Sequence, residues 1–203
     1  MEIYNLAPDG FGSNCYILIS GKCAAVVDPS AKAQDIVHFT EQNGAVIEKI
    51  FLTHGHFDHV TSLDELRDIT QAQAYIHKND NEMLSNGDKN AHALFFGYNK
   101  KWRDAEVLFE NGDIIKLGEE TIQVISTPGH SKGSVCLLFG DKLITGDTLF
   151  ANGYGRYDLY GGDANVLSAS LSSLRSLDQN LTIYPGHGGI STLGRALDNI
   201  LYY

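Results

Sequence analysis

Apolar positions fall in short runs along most of the chain, each cut off by Gly, Pro, Asn or Asp. Residues 14–20 (NCYILIS) and 23–28 (CAAVVD) flank Gly21-Lys22, a spacing that predicts a two-residue β-hairpin. Pro29 ends the second run, and residues 31–43 read as a helix stopped by Gly44. Residues 48–53 (EKIFLT) predict a short apolar strand that runs into a His-rich turn. Residues 61–69 and 79–84 read as helices around a strand at 74–77. Further strands are predicted at 106–109, 114–117, 121–126, 134–139 and 142–145, separated by Asn111-Gly112, Gly118 and Gly140-Asp141. A helix at 164–177, a strand at 181–184 and a helix at 192–202 complete the pattern. Residues 86–105 give no clear period. Their Phe95, Phe96, Tyr98 and Trp102 stand among Lys100, Lys101 and Arg103; Phe95, Phe96 and Trp102 are expected in the core or a dimer interface, the other reading being a lid or wall of a thiol-substrate pocket.

Short strands dominate, and each helix has one apolar face. The fold class is therefore mixed α/β (α+β), two sheets packed together with helices outside. No repeat, low-complexity tract or linker divides the sequence, so one domain over 1–203 is expected.

Composition narrows the function. The 203 residues include 43% hydrophobic and 20% charged positions, ordinary for a globular protein. Fifteen Lys and Arg against 25 Asp and Glu give a net charge of −10. That balance argues against nucleic acid and against an anionic membrane surface as partners, since both call for clustered positive charge. A small-molecule substrate is expected instead. Cys15, Cys23 and Cys136 are odd in number and lie in apolar runs, as free buried thiols in a reducing compartment would. Met1-Glu2-Ile3 carries no basic n-region, and no window is long and apolar enough for a membrane span, so the cytoplasm is the expected location. Nothing in the sequence sets the oligomeric state.

The strongest chemical signal is Thr53-His54-Gly55-His56-Phe57-Asp58-His59, placed just after a strand. Imidazole suits Zn, Fe, Ni or Cu, and carboxylate adds charge and tolerates harder metals. Alternate residues of an extended segment point apart, so His54 and His56 can share a metal only if the chain turns, which Gly55 permits. His130, Asp147 and His187 each follow an apolar strand and stand beside a Gly, at the rim of a sheet with little bulk around them. A single strand-end His is more often structural than ligating, but three His and an Asp within six residues are not explained that way. His38, His77 and His92 remain outside the set.

This set resembles the metallo-β-lactamase superfamily, from the opening strands to His187. The resemblance implies a four-layer αββα sandwich with metals at one edge. It implies His54, His56 and His130 on one metal, Asp58, His59 and His187 on a second, and Asp147 bridging them. Asp28 is implied to stand behind the ligands, although a strand-ending turn with Pro29 also explains it. The implied cofactors are two divalent ions, Zn first, with Fe or Mn also suited.

Within that superfamily the chain is similar to short glyoxalase II-like proteins, through Gly146-Asp147-Thr148-Leu149-Phe150, Gly155-Arg156-Tyr157-Asp158, Gly161-Gly162-Asp163 and Pro185-Gly186-His187-Gly188. The likeness implies a thioester hydrolase in which a metal-bridging hydroxide, oriented by Asp58, attacks the carbonyl. Arg156 is the candidate substrate contact, able to hold an anionic group; the alternative is an ion pair with Asp158 or Asp163. Full-length glyoxalase II enzymes bind glutathione partly through a C-terminal helical domain, whereas about 16 residues follow His187 here. Many glyoxalase II-like sequences also carry a second His where this chain has Ser131-Lys132-Gly133-Ser134. Ser131 beside His130 could suggest a nucleophile, but His130 is better spent on metal. The Gly-Arg-x-Asp element is shared with persulfide dioxygenases. The alternative function is thus a mononuclear-iron persulfide dioxygenase with His54, His130 and Asp147 on one Fe. A metal-binding protein without catalysis is a third reading, against which the seven filled ligand positions argue.

Overall fold

The computed structural model describes residues 1–8 and 10–200. One sheet has the order β1-β2-β3-β4-β5-β6, with strands Glu2–Leu6, Cys15–Ser20, Cys23–Val27, Val46–Phe51, Gln73–His77 and Val107–Phe109. The other has the order β12-β11-β10-β9-β8-β7, from strands Ile114–Leu117 (β7), Glu120–Ser126 (β8), Val135–Phe139 (β9), Lys142–Gly146 (β10), Thr182–Pro185 (β11) and Ser191–Thr192 (β12). The helices are α1 (Ala33–Gln42), α2 (Leu63–Thr70), α3 (Asn81–Leu84), α4 (His92–Phe96), α5 (Ala164–Leu174) and α6 (Leu193–Asn199).

The period-two alternation of the strands builds the layers. From β2, Ile17 and Ile19 face Ile36 of α1 and Leu63 and Leu66 of α2. Tyr16 and Leu18 of the same strand point the other way, against Val124, Leu137 and Ile144 of the second sheet. On the far side of that sheet Cys136, Leu143 and Ile183 meet Leu167 and Leu171 of α5 and Leu193 of α6. Both sheets are thus buried on two faces, which is why β2, β3, β9 and β10 read as continuous apolar runs rather than alternating ones. The result is the helix–sheet–sheet–helix sandwich.

Strand direction places the site. β3, β4, β5 and β6 are mutually parallel. β10 is parallel to β11, and β8 shares its direction through two antiparallel steps. The carboxyl ends within each sheet therefore point the same way, and the segments after β3, β4, β8, β10 and β11 meet at one edge of the sandwich.

Strands β1 and β12 and helix α4 have no counterpart in the sequence reading. β1 is an edge strand paired only to β2 and half-exposed throughout, so it lacks an apolar run. The last helix covers Leu193–Asn199 of the expected 192–202, and the end of that expectation lies outside the described residues. The segment before β6 is fastened by tertiary bonds that no periodicity reveals. Buried Arg67 donates to the carbonyls of Arg103 and Asp104 at 3.1 and 2.8 Å and pairs with Asp64 and Glu106. Cys15 and Cys136 are buried free thiols pushed up to about 12 by burial, whereas Cys23, expected buried, is partly exposed because it opens β3 beside a hairpin turn. Among the described residues no helix is long and apolar enough to cross a membrane.

Candidate metal centre

The turn after β4 carries His54, His56, Asp58 and His59, the last two in a 3₁₀ turn at Phe57–His59. His130 follows β8, Asp147 follows β10 and His187 follows β11. The structure brings all seven together in three overlapping sets: His54 with His56 and His130, His54 with His59 and Asp147, and Asp58 with His59 and His187. Within each set the candidate ligand atoms lie within 4.8 Å of one another. His130 Nε2 is 2.8 Å from His56 Nδ1 and 3.1 Å from His54 Nε2. Asp58 Oδ2 is 3.2 Å from His187 Nε2. Asp147 faces both groups, with Oδ1 3.4 Å from His59 Nε2 and Oδ2 3.7 and 3.6 Å from His130 and His187.

Glycine serves this crowding by its small size. Gly55 was expected to supply a turn, yet its φ lies outside the left-handed region. What requires it is close approach: a Cβ there would lie 2.7 Å from Met83 Cβ and 3.0 Å from the Asp80 carbonyl. At Gly186 a Cβ would come within 2.2 Å of Asp147 Oδ1 and 2.8 Å of His59 Cε1.

The ring behind the ligands fixes their tautomers. Asp28 Oδ2 accepts from His59 Nδ1 at 2.8 Å, which leaves the His59 Nε2 lone pair directed into the cluster. His130 Nδ1 donates to the Arg156 carbonyl at 2.6 Å, with the same effect on its Nε2. His54 Nδ1 lies 3.1 Å from Thr53 Oγ1, which donates to Asp28 Oδ2 at 2.7 Å. Asp28 also accepts from the Thr53 amide at 2.8 Å and sits at φ 52°, so it is both strand-ending and directed at the cluster.

Burial holds His54, His56 and His130 below the ordinary imidazole range, His56 at about 3, and the neighbouring imidazoles add to the effect for His54 and His56. These rings are neutral, as ligands must be. Burial opposes ionisation of Asp147, but His59, His130 and His187 hold it well below the usual carboxylate range. Burial would pull His59 down, and the Asp147, Asp28 and Asp58 carboxylates raise it well above its ordinary value.

The donor set fits cations. His59 Nε2 and Asp147 Oδ1 are buried and have no hydrogen-bond partner, an arrangement costing about 1–3 kcal/mol per group unless something coordinates them. Both sit where the sets converge. With His54, His56 and His130 neutral, the ionised carboxylates call for positive charge, a demand that raises His59 and that bound cations would meet.

Other residues of the site escaped the sequence reading. Asp80, fully buried at the end of β5, accepts from the amides of Gly55 and Gly133 at 3.1 and 2.6 Å and from Ser131 Oγ at 2.6 Å. It shares only half of the signal used for the ligands: it follows the strand at 74–77, but no Gly stands beside it. Ser131 is committed to that bond and fully buried, so it is no free nucleophile. Arg156 Nε and Nη2 bind Asp158 at 2.6 and 2.8 Å, the ion-pair alternative, while Asp163 caps α5. Of the remaining histidines, His92 bonds the Tyr98 carbonyl at 2.9 Å, His38 is near Gln42 and His77 lies in β5.

A cavity of about 490 Å³ opens onto the cluster, lined by the polar His56, Asp58, His130, Asp147, Arg156 and His187 and by the apolar Phe11, Phe57, Phe95, Phe96, Phe150 and Leu159. Phe95 and Phe96 therefore form a wall of a pocket, against the core expectation, while Trp102 is buried as expected. The two are separated because α4 turns its rings outward and the following loop returns Trp102 to the core.

Comparison with known proteins places these features in context. The sequence profile of the Metallo-beta-lactamase superfamily matches residues 8–187. The probable metallo-hydrolase YqgX of Bacillus subtilis (strain 168) is 33% identical over 179 residues, spanning 87% of this chain and 85% of its own. Among solved structures, the BLEG-1 B3 metallo-beta-lactamase is similar with a TM-score of 0.91 at 30% identity over 97% of both chains. TTHA1623, solved in a di-iron-bound form, has a TM-score of 0.82 at 30% identity over 95% of this chain and 96% of its own.

Proposed function

Because the chain belongs to the metallo-beta-lactamase superfamily, we propose that it is a hydrolase using two divalent ions, and that its substrate is a thiol ester of the glyoxalase II-like kind. The observation that carries this reading is the pair of converging ligand sets with Asp147 facing both. His54, His56 and His130 would hold one ion, Asp58, His59 and His187 the other, and Asp147 would touch both. Zn is the expected metal, with Fe or Mn also suited to the donors; the similar TTHA1623 carries iron.

Bound there, such ions supply a water of lowered pKa and a Lewis acid for the carbonyl oxygen. The chain supplies the rest. Asp58 reaches the cluster from the cavity wall, where its carboxylate would orient the attacking water. Water adds to the thioester carbon, the C–S bond breaks, and the products are a carboxylic acid and a thiol. A thiolate leaves with little proton help, whereas a ring-amide nitrogen needs a proton donor. Among the described side chains lining the cavity, the titratable ones belong to the ligand sets or, like Arg156, to an ion pair. That absence of an uncommitted donor favours the thioester. The net charge of −10 supports a small molecule over nucleic acid or a membrane surface, and we place the protein in the cytoplasm.

The test is metal content of protein purified without added metal, paired with thioester, β-lactam and oxygen-uptake assays. Two equivalents of metal, thioester cleavage and no oxygen uptake are expected. One iron with rapid oxygen uptake on glutathione persulfide would replace the hydrolase by a dioxygenase that uses His54, His130 and Asp147. Faster cleavage of a β-lactam than of any thioester would overturn the substrate class.

A further inference from the structure

The ligand turn itself carries an aromatic ring into the pocket. Phe57 lies between His56 and Asp58, and its centroid is 5.4 Å from those of both Phe95 and Phe96. Phe11 stands 6.5 Å from Phe96, edge to face. Phe150 lies 6.0 Å from His187. Phe57 is mostly buried, but the rings around it are not: Phe11, Phe95 and Phe96 are 83%, 55% and 43% exposed. Water-facing aromatic rings gathered around a concave site are costly unless something apolar covers them.

The charges of the cavity point to the same kind of ligand. Its anionic groups, Asp58 and Asp147, and its imidazoles face the cluster. Its lining has a single guanidinium, Arg156, and both oxygens of Asp158 already engage that group. No uncommitted cation among the described lining residues could hold the two carboxylates of a glutathione moiety. The Arg156 methylenes are left to serve as wall, as the stems of long cationic side chains commonly do.

Of the thiol esters that a glyoxalase II-like hydrolase could take, we infer that the pocket selects not a glutathione ester but one whose seated group is uncharged and apolar, an aryl or short alkyl group attached to the scissile carbonyl or to its sulfur. The inference rests on the hydrolase reading and names its substrate class. A cavity of about 490 Å³ holds a phenyl-sized group with its neighbouring atoms. Burying such a group favours binding about tenfold to a hundredfold over a polar one of similar size.

The test separates binding from turnover. Metal-loaded full-length protein is titrated calorimetrically with two inert thioethers, S-benzyl-N-acetylcysteamine and S-methylglutathione. Kinetics are measured on the phenylacetyl thioester of N-acetylcysteamine, on benzyl thioacetate and on S-lactoylglutathione. The benzyl thioether is expected to bind at least tenfold tighter than the glutathione one. Phe95→Ala or Phe96→Ala should remove most of that difference and raise KM for the better apolar thioester about tenfold, with Phe95→Leu recovering part of it. Both rings are exposed, so the variants keep the core, which metal content and thermal melts verify. The larger kcat/KM of the two apolar esters tells whether the acyl or the thiol side is seated. Equal or tighter binding of S-methylglutathione overturns the inference even if thioesters are hydrolysed. A benzyl preference that survives both Ala variants overturns its assignment to this pocket. A benzyl preference without hydrolysis of any thioester supports the pocket and removes the hydrolase reading alone.

Discussion

Asp80 Oδ2 accepts a hydrogen bond from Ser131 Oγ at 2.6 Å, a contact that ties the turn after β5 to the loop of His130. The same carboxylate accepts from the amide of Gly55, between the first two ligands, and from that of Gly133. Burial pushes Asp80 up to about 6 even though these donors favour the charged form. Asp80→Asn keeps the shape but turns an N–H₂ toward groups that need acceptors. It should lower metal affinity about tenfold, within the range seen for groups behind metal ligands, and cost about 1–3 kcal/mol of stability. The sign of the pH effect follows from the raised value. Folded Asp80 takes up its proton near pH 6 and the unfolded chain near 4, so this residue lowers stability as pH rises across that window. Metal-free Asp80→Asn should therefore show a shallower decline of unfolding free energy from pH 4 to 7 than wild type. Unchanged metal affinity and slope would mean that Asp80 only fills space.

Asp28 acts on the other metal set. It holds His59 Nδ1 and, through Thr53, faces His54 more distantly. Asn tolerates the φ of 52° at this position, so Asp28→Asn changes the chemistry with little backbone cost. Stepwise titration against a chromophoric chelator should show about a 10–100-fold loss at one binding step and a smaller loss at the other. Equal losses at both steps would argue that the residue serves the backbone alone.

Close approach, not turn geometry, makes Gly186 necessary. Its φ suits any residue, but an added Cβ would press on Asp147 Oδ1 and His59. Gly186→Ala should retain its far-UV circular dichroism yet bind less than one equivalent of metal. Gly140→Ala, at φ 54° with open space around it, should cost about 1–2 kcal/mol and keep both metals. Full metal binding by Gly186→Ala would show that the cluster can shift aside.

The convergence of the candidate ligands was legible because their chemistry is concentrated. His54, His56, Asp58 and His59 fall in one turn, and His130, Asp147 and His187 repeat the same strand-end context. The sheets were legible because strands buried on both faces leave long apolar runs such as Tyr16–Ile19. Half-exposed β1 has no such run and was invisible. So was the role of Phe95 and Phe96: a helix of one turn has no period, and only the docking of α4 over Phe57 tells a pocket wall from a core. Asp80 lies 25 residues from Gly55 and 51 from Ser131, distances that no local pattern spans.

Metal removal provides the broadest test of the cluster. Without cations, His59 Nε2 and Asp147 Oδ1 stay buried without a hydrogen bond, 3.4 Å apart, and the carboxylates of Asp28, Asp58 and Asp147 crowd one imidazole. Ions that bind the folded chain alone stabilise it by about 1.4 kcal/mol for each tenfold excess of free metal over Kd. For a chain of this size each kcal/mol moves Tm by about 2–4 °C. A chelator should thus lower Tm by several degrees, and buffered Zn²⁺ should restore it in proportion to the logarithm of its free concentration. His54→Ala should flatten that dependence, because His54 belongs to two of the three ligand sets. His187→Ala, which removes a partly exposed ring from one set, should flatten it less. A Tm indifferent to free metal in the wild-type protein would contradict the reading of these side chains as ligands.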